Sequence, residues 1–282
     1  MRMERIVAGT DGSRGAANAL RWAARLAAFH GAELVVMTGC VSRQAELPPG
    51  RMEKLLEERA RELDAWSGPA RLGDLRVRTV VEPGDPRPGI LAVAEREDAD
   101  LVVVGRVGTS AGPGLLRLGS MAEWMAHHAD RPTAIVGGAV NLVAQRVLVA
   151  VDGSAGSRAA VEWVGTLAER AEVHVIAASV HEPLVEWTPA DSPENWRRGL
   201  EDQIADDFAA PLMKAGVEVD VRALGGLNVA DVLLEAAGDE RADLVVIGTR
   251  GLGGFSGLRA GGVTLKVVHR ADRPVVLVPP PD

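Results

Sequence analysis

The sequence is short of cysteine, of aromatic residues and of positive charge. A single cysteine, Cys40, stands among 282 residues. No disulfide can form within the chain, and a reducing compartment is the expected setting. Cys40 itself reads as a small packed apolar residue. Aromatics make up 3% of the residues, and the apolar half is mostly Ala, Val and Leu, which suits parallel strands covered by helices. Lys and Arg number 31 against 39 Asp and Glu, a net charge of −8. That balance argues against a nucleic-acid binder, which carries a basic face. It does not exclude a small anionic ligand, because loop amides supply local positive potential. No apolar run reaches the length of a membrane span. Met1-Arg2-Met3-Glu4-Arg5 leads straight into strand-like residues without the pattern of a signal peptide, so a cytoplasmic protein is expected.

Several motifs are absent as well. There is no Gly-Lys-(Ser/Thr) phosphate loop. A dinucleotide fold needs Gly-x-Gly-x-x-Gly after its first strand and an acid at the end of the second. Gly9, Gly12 and Gly15 have the wrong spacing, and Val41 and Val180 stand where the acid belongs. A response-regulator receiver needs clustered acids after strand one and a lysine after strand five, and neither half has them. No two of the six histidines lie at i, i+4 with an acidic partner, which argues against a zinc site.

What the chain does have is a duplication. Ala99-Asp100-Leu101-Val102-Val103-Val104-Gly105 matches the segment from Ala242 to Gly248 at an offset of 143, and Ala129-Asp130-Arg131-Pro132 matches Ala271-Asp272-Arg273-Pro274 at 142. Val149-Ala150-Val151-Asp152-Gly153-Ser154 matches the segment from Ala8 to Ser13 at 141. The period is that of a whole domain. Two domains, 1–138 and 145–282, are expected, joined by a linker from Gly137 to Gln145. In each half, short apolar runs alternate with helical patterns as βαβαβαβαβ. Right-handed crossovers make that an open, parallel, five-stranded sheet with helices on both faces, a Rossmann-like α/β fold. Asp11, Ser13, Asp85 and Asn228 are candidate helix N-caps, and a long polar helix should run from Pro193 to about Lys214.

The second copy of strand four runs into Gly248-Thr249-Arg250-Gly251, then Gly253, Gly254, Gly257, Gly261 and Gly262, then a helix. Strand, glycine-rich loop and helix N-terminus hold a phosphate through inward-facing N–H groups and the helix dipole. A flexible surface loop is the alternative reading. Ligands in open α/β sheets bind at the carboxyl ends of the strands where strand order reverses. The loops after strands one and four flank that crevice, and they hold Asp11 and Asp152 together with the two glycine loops. Arg106, Arg117, Arg250 and Arg259 are either phosphate contacts or solvated surface charges. Asp11 and Asp152 could hold a magnesium ion or serve only as caps.

These features together resemble the universal stress protein family in its tandem two-domain form. The family's loop, Gly-x2-Gly-x9-Gly-(Ser/Thr) after strand four, binds ATP in many members. Gly248, Gly251 and Gly261 fit that spacing, but Gly262 stands in place of the Ser or Thr, and Thr264 is the nearest hydroxyl able to stand in. In the first half Gly105 and Gly108 are followed by ten residues before Gly119 and Ser120, one too many, with Pro113 inside the loop. The resemblance implies an ATP site built from Asp152, Val180, Gly248, Arg250, Gly251, Gly261, Gly262, Val263 and Thr264. A first-half counterpart would use Asp11, Val41, Gly105, Gly108, Gly119 and Ser120. The acids match the family's acid after strand one, and Val41 and Val180 match its apolar adenine-side position after strand two. It further implies a nucleotide-sensing stress regulator with at most slow hydrolysis, and magnesium could accompany the ATP. The two halves should form an internal pseudo-twofold pair through their last strands, Thr133 to Val136 and Val275 to Val278, and two chains could also pair as a homodimer. A scaffold of the same fold that has lost its nucleotide is the competing reading. Loop spacing predicts tighter binding in the second half.

Overall fold

In a computed structural model, residues 3–41, 50–109, 118–137, 145–170, 172–181, 193–251 and 260–281 are described. Pro113, Arg117 and Arg259 lie outside them. The chain divides into two compact units, Met1–Val143 and Ala144–Asp282.

The first unit runs β1 (Arg5–Gly9), α1 (Arg14–His30), β2 (Glu33–Cys40), α2 (Arg51–Trp66), β3 (Val77–Pro83), α3 (Pro86–Arg96), β4 (Leu101–Gly105), α4 (Ser120–His128) and β5 (Thr133–Val136). All its strands are parallel, in the order β3-β2-β1-β4-β5. The central strands are covered on both faces, so Ile6, Val7, Ala8 and Leu101 to Val104 are buried; this is why β4 is a continuous apolar run. The edge strand β3 is half exposed and carries Arg78, Thr79 and Glu82.

The second unit repeats the order with β6 (Arg146–Ala150), α5 (Ala155–Ala168), β7 (His174–His181), α6 (Pro193–Ile204), α7 (Ala210–Lys214), β8 (Glu218–Gly225), α8 (Val229–Asp239), β9 (Leu244–Gly248), α9 (Gly262–Arg270) and β10 (Val275–Val278). Its parallel sheet is ordered β10-β9-β6-β7-β8. In both units the chain leaves the first strand in one direction and returns to its other side. The switch point therefore lies between β1 and β4, and between β6 and β9.

Local chemistry explains the element boundaries. Ser13 and Ser154 cap α1 and α5, their hydroxyls accepting from the N–H groups of Ala16 and Ser157 at 3.1 Å. Asp85 caps α3 through the Arg87 N–H, with Pro86 in the first turn. Asn228 does not cap α8 with its side chain, which instead donates to Asp231 Oδ2 at 2.6 Å. The expected long helix in the second unit is interrupted by a π turn at Ala205–Ala209. Pro211 is the cause: it offers no N–H to the Asp207 carbonyl one turn back. Arg158 Nη1 donates to that carbonyl at 3.3 Å, and its guanidinium lies over the Phe208 ring.

Candidate functional site

The crevice in the second unit begins with glycine on glycine. A side chain at Gly248 would meet the Gly156 backbone at 2.6 Å, and one at Gly156 would meet the Arg250 carbonyl at 2.5 Å. The end of β9 thus lies directly on the first turn of α5. The same approach joins Gly105 to Gly15 in the first unit. Gly15 entered the sequence reading only through the rejected dinucleotide motif and Gly156 not at all, although they obey the repeat offset and follow the two Asp-Gly-Ser segments. The absence of a side chain at Gly105 and Gly248 therefore lets the strand end pack on the helix, and Gly248 also borders the cavity described below.

Asp152 follows β6. Its Oδ1 accepts from the Ser154 N–H at 3.0 Å and the Ser154 hydroxyl at 2.6 Å, and the same hydroxyl is 3.1 Å from the Arg250 carbonyl. Its Oδ2 lies 2.4 Å from where a side chain at Gly251 would begin. Gly251 is not at positive φ, so its role is to leave room for the carboxylate and not to adopt a left-handed turn.

Around this point lies a cavity of about 500 Å³, within the range of about 300–1,000 Å³ typical of small-molecule sites. Every residue assigned above to the second-half ATP site lines it: Asp152, Val180, Gly248, Arg250, Gly251, Gly261, Gly262, Val263 and Thr264. One end is apolar, formed by Ala178 and Val180 of β7, Val229 and Leu233 of α8, and Ile247. The other end is the N-terminus of α9. Gly261 N–H donates to the Thr249 carbonyl at 2.8 Å, so this amide closes the loop and is not offered to a ligand. The N–H groups of Gly262, Val263 and Thr264 come next, in the first helical turn, where no intrahelical carbonyl can reach them. Thr264 was the expected substitute for the missing hydroxyl at 262. Its Oγ1 instead donates to the Gly248 carbonyl at 2.9 Å and is buried, tying α9 to the end of β9. Lys266, which sequence reasoning missed, also lines the cavity, as do Ser154 and Ser157.

The first unit places its candidates differently. β2 and β7 have the same register against β1 and β6, and this makes Gly39, not Val41, the repeat equivalent of Val180. Val41 lies beyond the end of β2 and is 56% exposed. The expectation that Val41 is the apolar counterpart of Val180 fails because it followed the end of the apolar run instead of the repeat offset. A side chain at Gly39 would meet Pro86 of α3 at 2.7 Å, and one at Gly9 would meet Ile90 Cδ1 at 2.9 Å. Met37, the repeat equivalent of Ala178, is fully buried. Pro86, Ile90 and Met37 thus fill the space that Val229, Leu233 and Ala178 border in the second unit. Gly119 N–H donates to the Arg106 carbonyl at 2.7 Å, the same closure as at Gly261, and Ser120 opens α4. Arg106 and Arg250 are not equivalent: the repeat aligns Arg106 with Thr249 and Arg250 with Val107.

Asp11 is held by its own loops. Its Oδ2 accepts from the Thr109 N–H at 2.7 Å and the Thr109 hydroxyl at 3.1 Å, and its Oδ1 accepts from the Ser13 N–H at 3.0 Å. It also lies 2.6 Å from where a side chain at Gly108 would begin. Burial pushes the carboxyl up, but the bonds from Ser13 and Thr109 outweigh it and hold it below the usual carboxylate value. A depressed native pKa contributes stability above the ordinary value and loses it as pH falls through the native one. Asp11→Asn is expected to lower the melting temperature at pH 7 and to approach wild type as the pH is taken below 4. A gap that widens in acid would contradict this.

Two doubly wound α/β modules in tandem, one with an open crevice at its switch point, define the class of the protein. The sequence pattern described as "Universal stress protein family" matches residues 3–137 and again residues 144–279. A universal stress protein of Mycolicibacterium smegmatis is 31% identical over 298 residues, covering 98% of this chain and 97% of its own. One from Mycobacterium tuberculosis is 28% identical over 291 residues, covering 96% and 95%. The crystal structure of a universal stress protein from Archaeoglobus fulgidus matches the whole of both chains with a TM-score of 0.74 at 20% identity, a likeness of fold. The chain belongs to the universal stress protein family. Among the described residues no helix is long and apolar enough to cross a membrane.

Proposed function

We propose that this protein binds ATP in the crevice of its second unit and acts as a nucleotide-sensing regulator of the stress response in the cytoplasm. One observation carries the reading: a single cavity joins an apolar end to a helix N-terminus flanked by cations. The apolar end suits a base, which Val180, Val229, Leu233 and Ile247 would contact. The first-turn amides of Gly262, Val263 and Thr264 would receive phosphate oxygens, helped by the positive end of the α9 dipole. Arg250 at the mouth adds charge. Asp152, a carboxylate, accepts hydrogen bonds and so would meet hydroxyl or amino groups of the nucleoside; magnesium, where present, would arrive on the phosphates, with Asp152 as the carboxylate of this lining. Among the described residues Asp152 is the only carboxylate bordering the cavity, and phosphoryl transfer asks for more than one positioned group. Binding, not turnover, is the function supported.

The test is a calorimetric titration of the full chain with ATP, with and without magnesium, together with mass spectrometry of nucleotide released from the purified protein. About one equivalent per chain is expected. Absence of both heat and co-purified nucleotide would leave the scaffold reading.

A further inference from the structure

We infer that Lys266 takes the place of the missing hydroxyl at position 262 and makes the second unit select nucleotides by the number of their phosphates. The inference rests on the nucleotide reading above and adds to it the residue that sets the ligand's charge class. Gly262 removes the side chain that the family's Ser or Thr would offer, and among the described residues nothing lies within 4 Å of where a Cβ there would stand. Thr264 cannot replace it, because its hydroxyl is committed to the Gly248 carbonyl. Lys266 lies one turn further along α9 and lines the same cavity as Gly262 and Val263. Residues four apart share a helix face, and long helical side chains lean back toward the N-terminus. The ammonium is therefore carried over the first turn, beside the open space at Gly262. A hydroxyl would make one hydrogen bond to one phosphate oxygen. An ammonium is a point charge with three donors, and its effect grows with the charge it faces. Adenosine and a monophosphate give it little; a di- or triphosphate gives it a partner. The first unit has Trp124 at this position, stacked on His128.

The experiment compares the full-length wild type, Lys266→Gln and Lys266→Arg by calorimetry against ATP, ADP, AMP and adenosine at one fixed ionic strength. Lys266 is exposed, so the variants should melt as wild type does. The expected result for Lys266→Gln is a dissociation constant for ATP raised roughly tenfold, as for the loss of one charge-assisted contact. ADP should be weakened less, AMP and adenosine by under about twofold, and Lys266→Arg should keep most of the preference. If wild type binds ATP and the Gln variant binds it equally well, or loses AMP and ATP alike, the role given to Lys266 is wrong while the nucleotide site stands. If wild type binds none of the four, the site itself is wrong and Lys266 falls with it.

Discussion

Gly251→Val should abolish nucleotide binding and leave the second unit folded, whereas Gly248→Val should damage both. The two glycines sit three residues apart in one loop, yet a side chain at each meets different matter. At Gly251 the first obstacle is Asp152 Oδ2 at 2.4 Å, the far end of a side chain that can swing away. The valine would displace the carboxylate and occupy cavity space beside it, without pressing on backbone. At Gly248 the obstacle is the Gly156 backbone, with its carbonyl carbon at 2.6 Å and the Ser157 nitrogen at 2.9 Å. Main chain cannot rotate aside, so α5 must lift from β9, at a cost of about 1–3 kcal/mol or more. Losing Asp152's alignment and the adjacent volume should weaken ATP by at least about hundredfold, equivalent to one or two charge-assisted hydrogen bonds. Thermal melting and titration of both variants separate the cases. Near-wild-type affinity in a well-folded Gly251→Val protein would show that the loop does not hold the ligand. A Gly248→Val variant with an unchanged melting temperature would show that the packing of β9 on α5 is looser than described.

The sheet was legible because its central strands are buried on both faces and therefore read as unbroken apolar runs, twice, at a nearly constant offset. Much of the repeated sequence that carries the family resemblance nevertheless serves the fold. Asp100 accepts from the N–H groups of Glu4 and Arg5, and Asp243 from those of Gln145 and Arg146, fixing the start of the first strand in each unit. Arg131 and Arg273 of the Ala-Asp-Arg-Pro segments donate to carbonyls at the ends of α3 and α8, Ala94 and Ala237. Trp22 and Trp163 are both buried, in keeping with a shared packing role. The second-half crevice could be read from motif and topology, since its parts are the ends of strands and the start of a helix. Three things could not. The role of Thr264 depends on which way a hydroxyl turns. The π turn depends on whether a proline is tolerated inside a helix or breaks it. The filling of the first unit depends on how closely α3 approaches the sheet, and that distance is set by Gly9 and Gly39, whose partners lie far away in sequence.

That closeness carries the last prediction: nucleotide should be bound in the second unit and not in the first. Loop length already pointed this way, but the stronger reason lies at the base end. In the first unit Pro86 lies against Gly39 and Ile90 against Gly9, and Met37 is buried beside them. A base would have to displace packed side chains, and opening such a core costs on the order of 2–5 kcal/mol. The phosphate end is also less favourable. Val107 and Trp124 stand where the second unit has Arg250 and Lys266, Glu123 lies in the first turn of α4, and α9 has no acid in its first turn. Asp11 already accepts three hydrogen bonds from Ser13 and Thr109. Together these differences exceed the roughly 1.5–3 kcal/mol that one charge-assisted hydrogen bond contributes, so the single hydroxyl of Ser120 cannot reverse the ranking. Comparing Gly105→Val with Gly248→Val would confound binding with packing in both units. Gly108→Val and Gly251→Val are the matched pair, because each first meets an aspartate carboxylate, Asp11 and Asp152. Titration should give about one ATP per chain for wild type and for Gly108→Val, and none for Gly251→Val. If Gly108→Val empties the protein while Gly251→Val keeps its nucleotide, α3 must move away from the sheet to admit a base, and the order of the two sites is reversed.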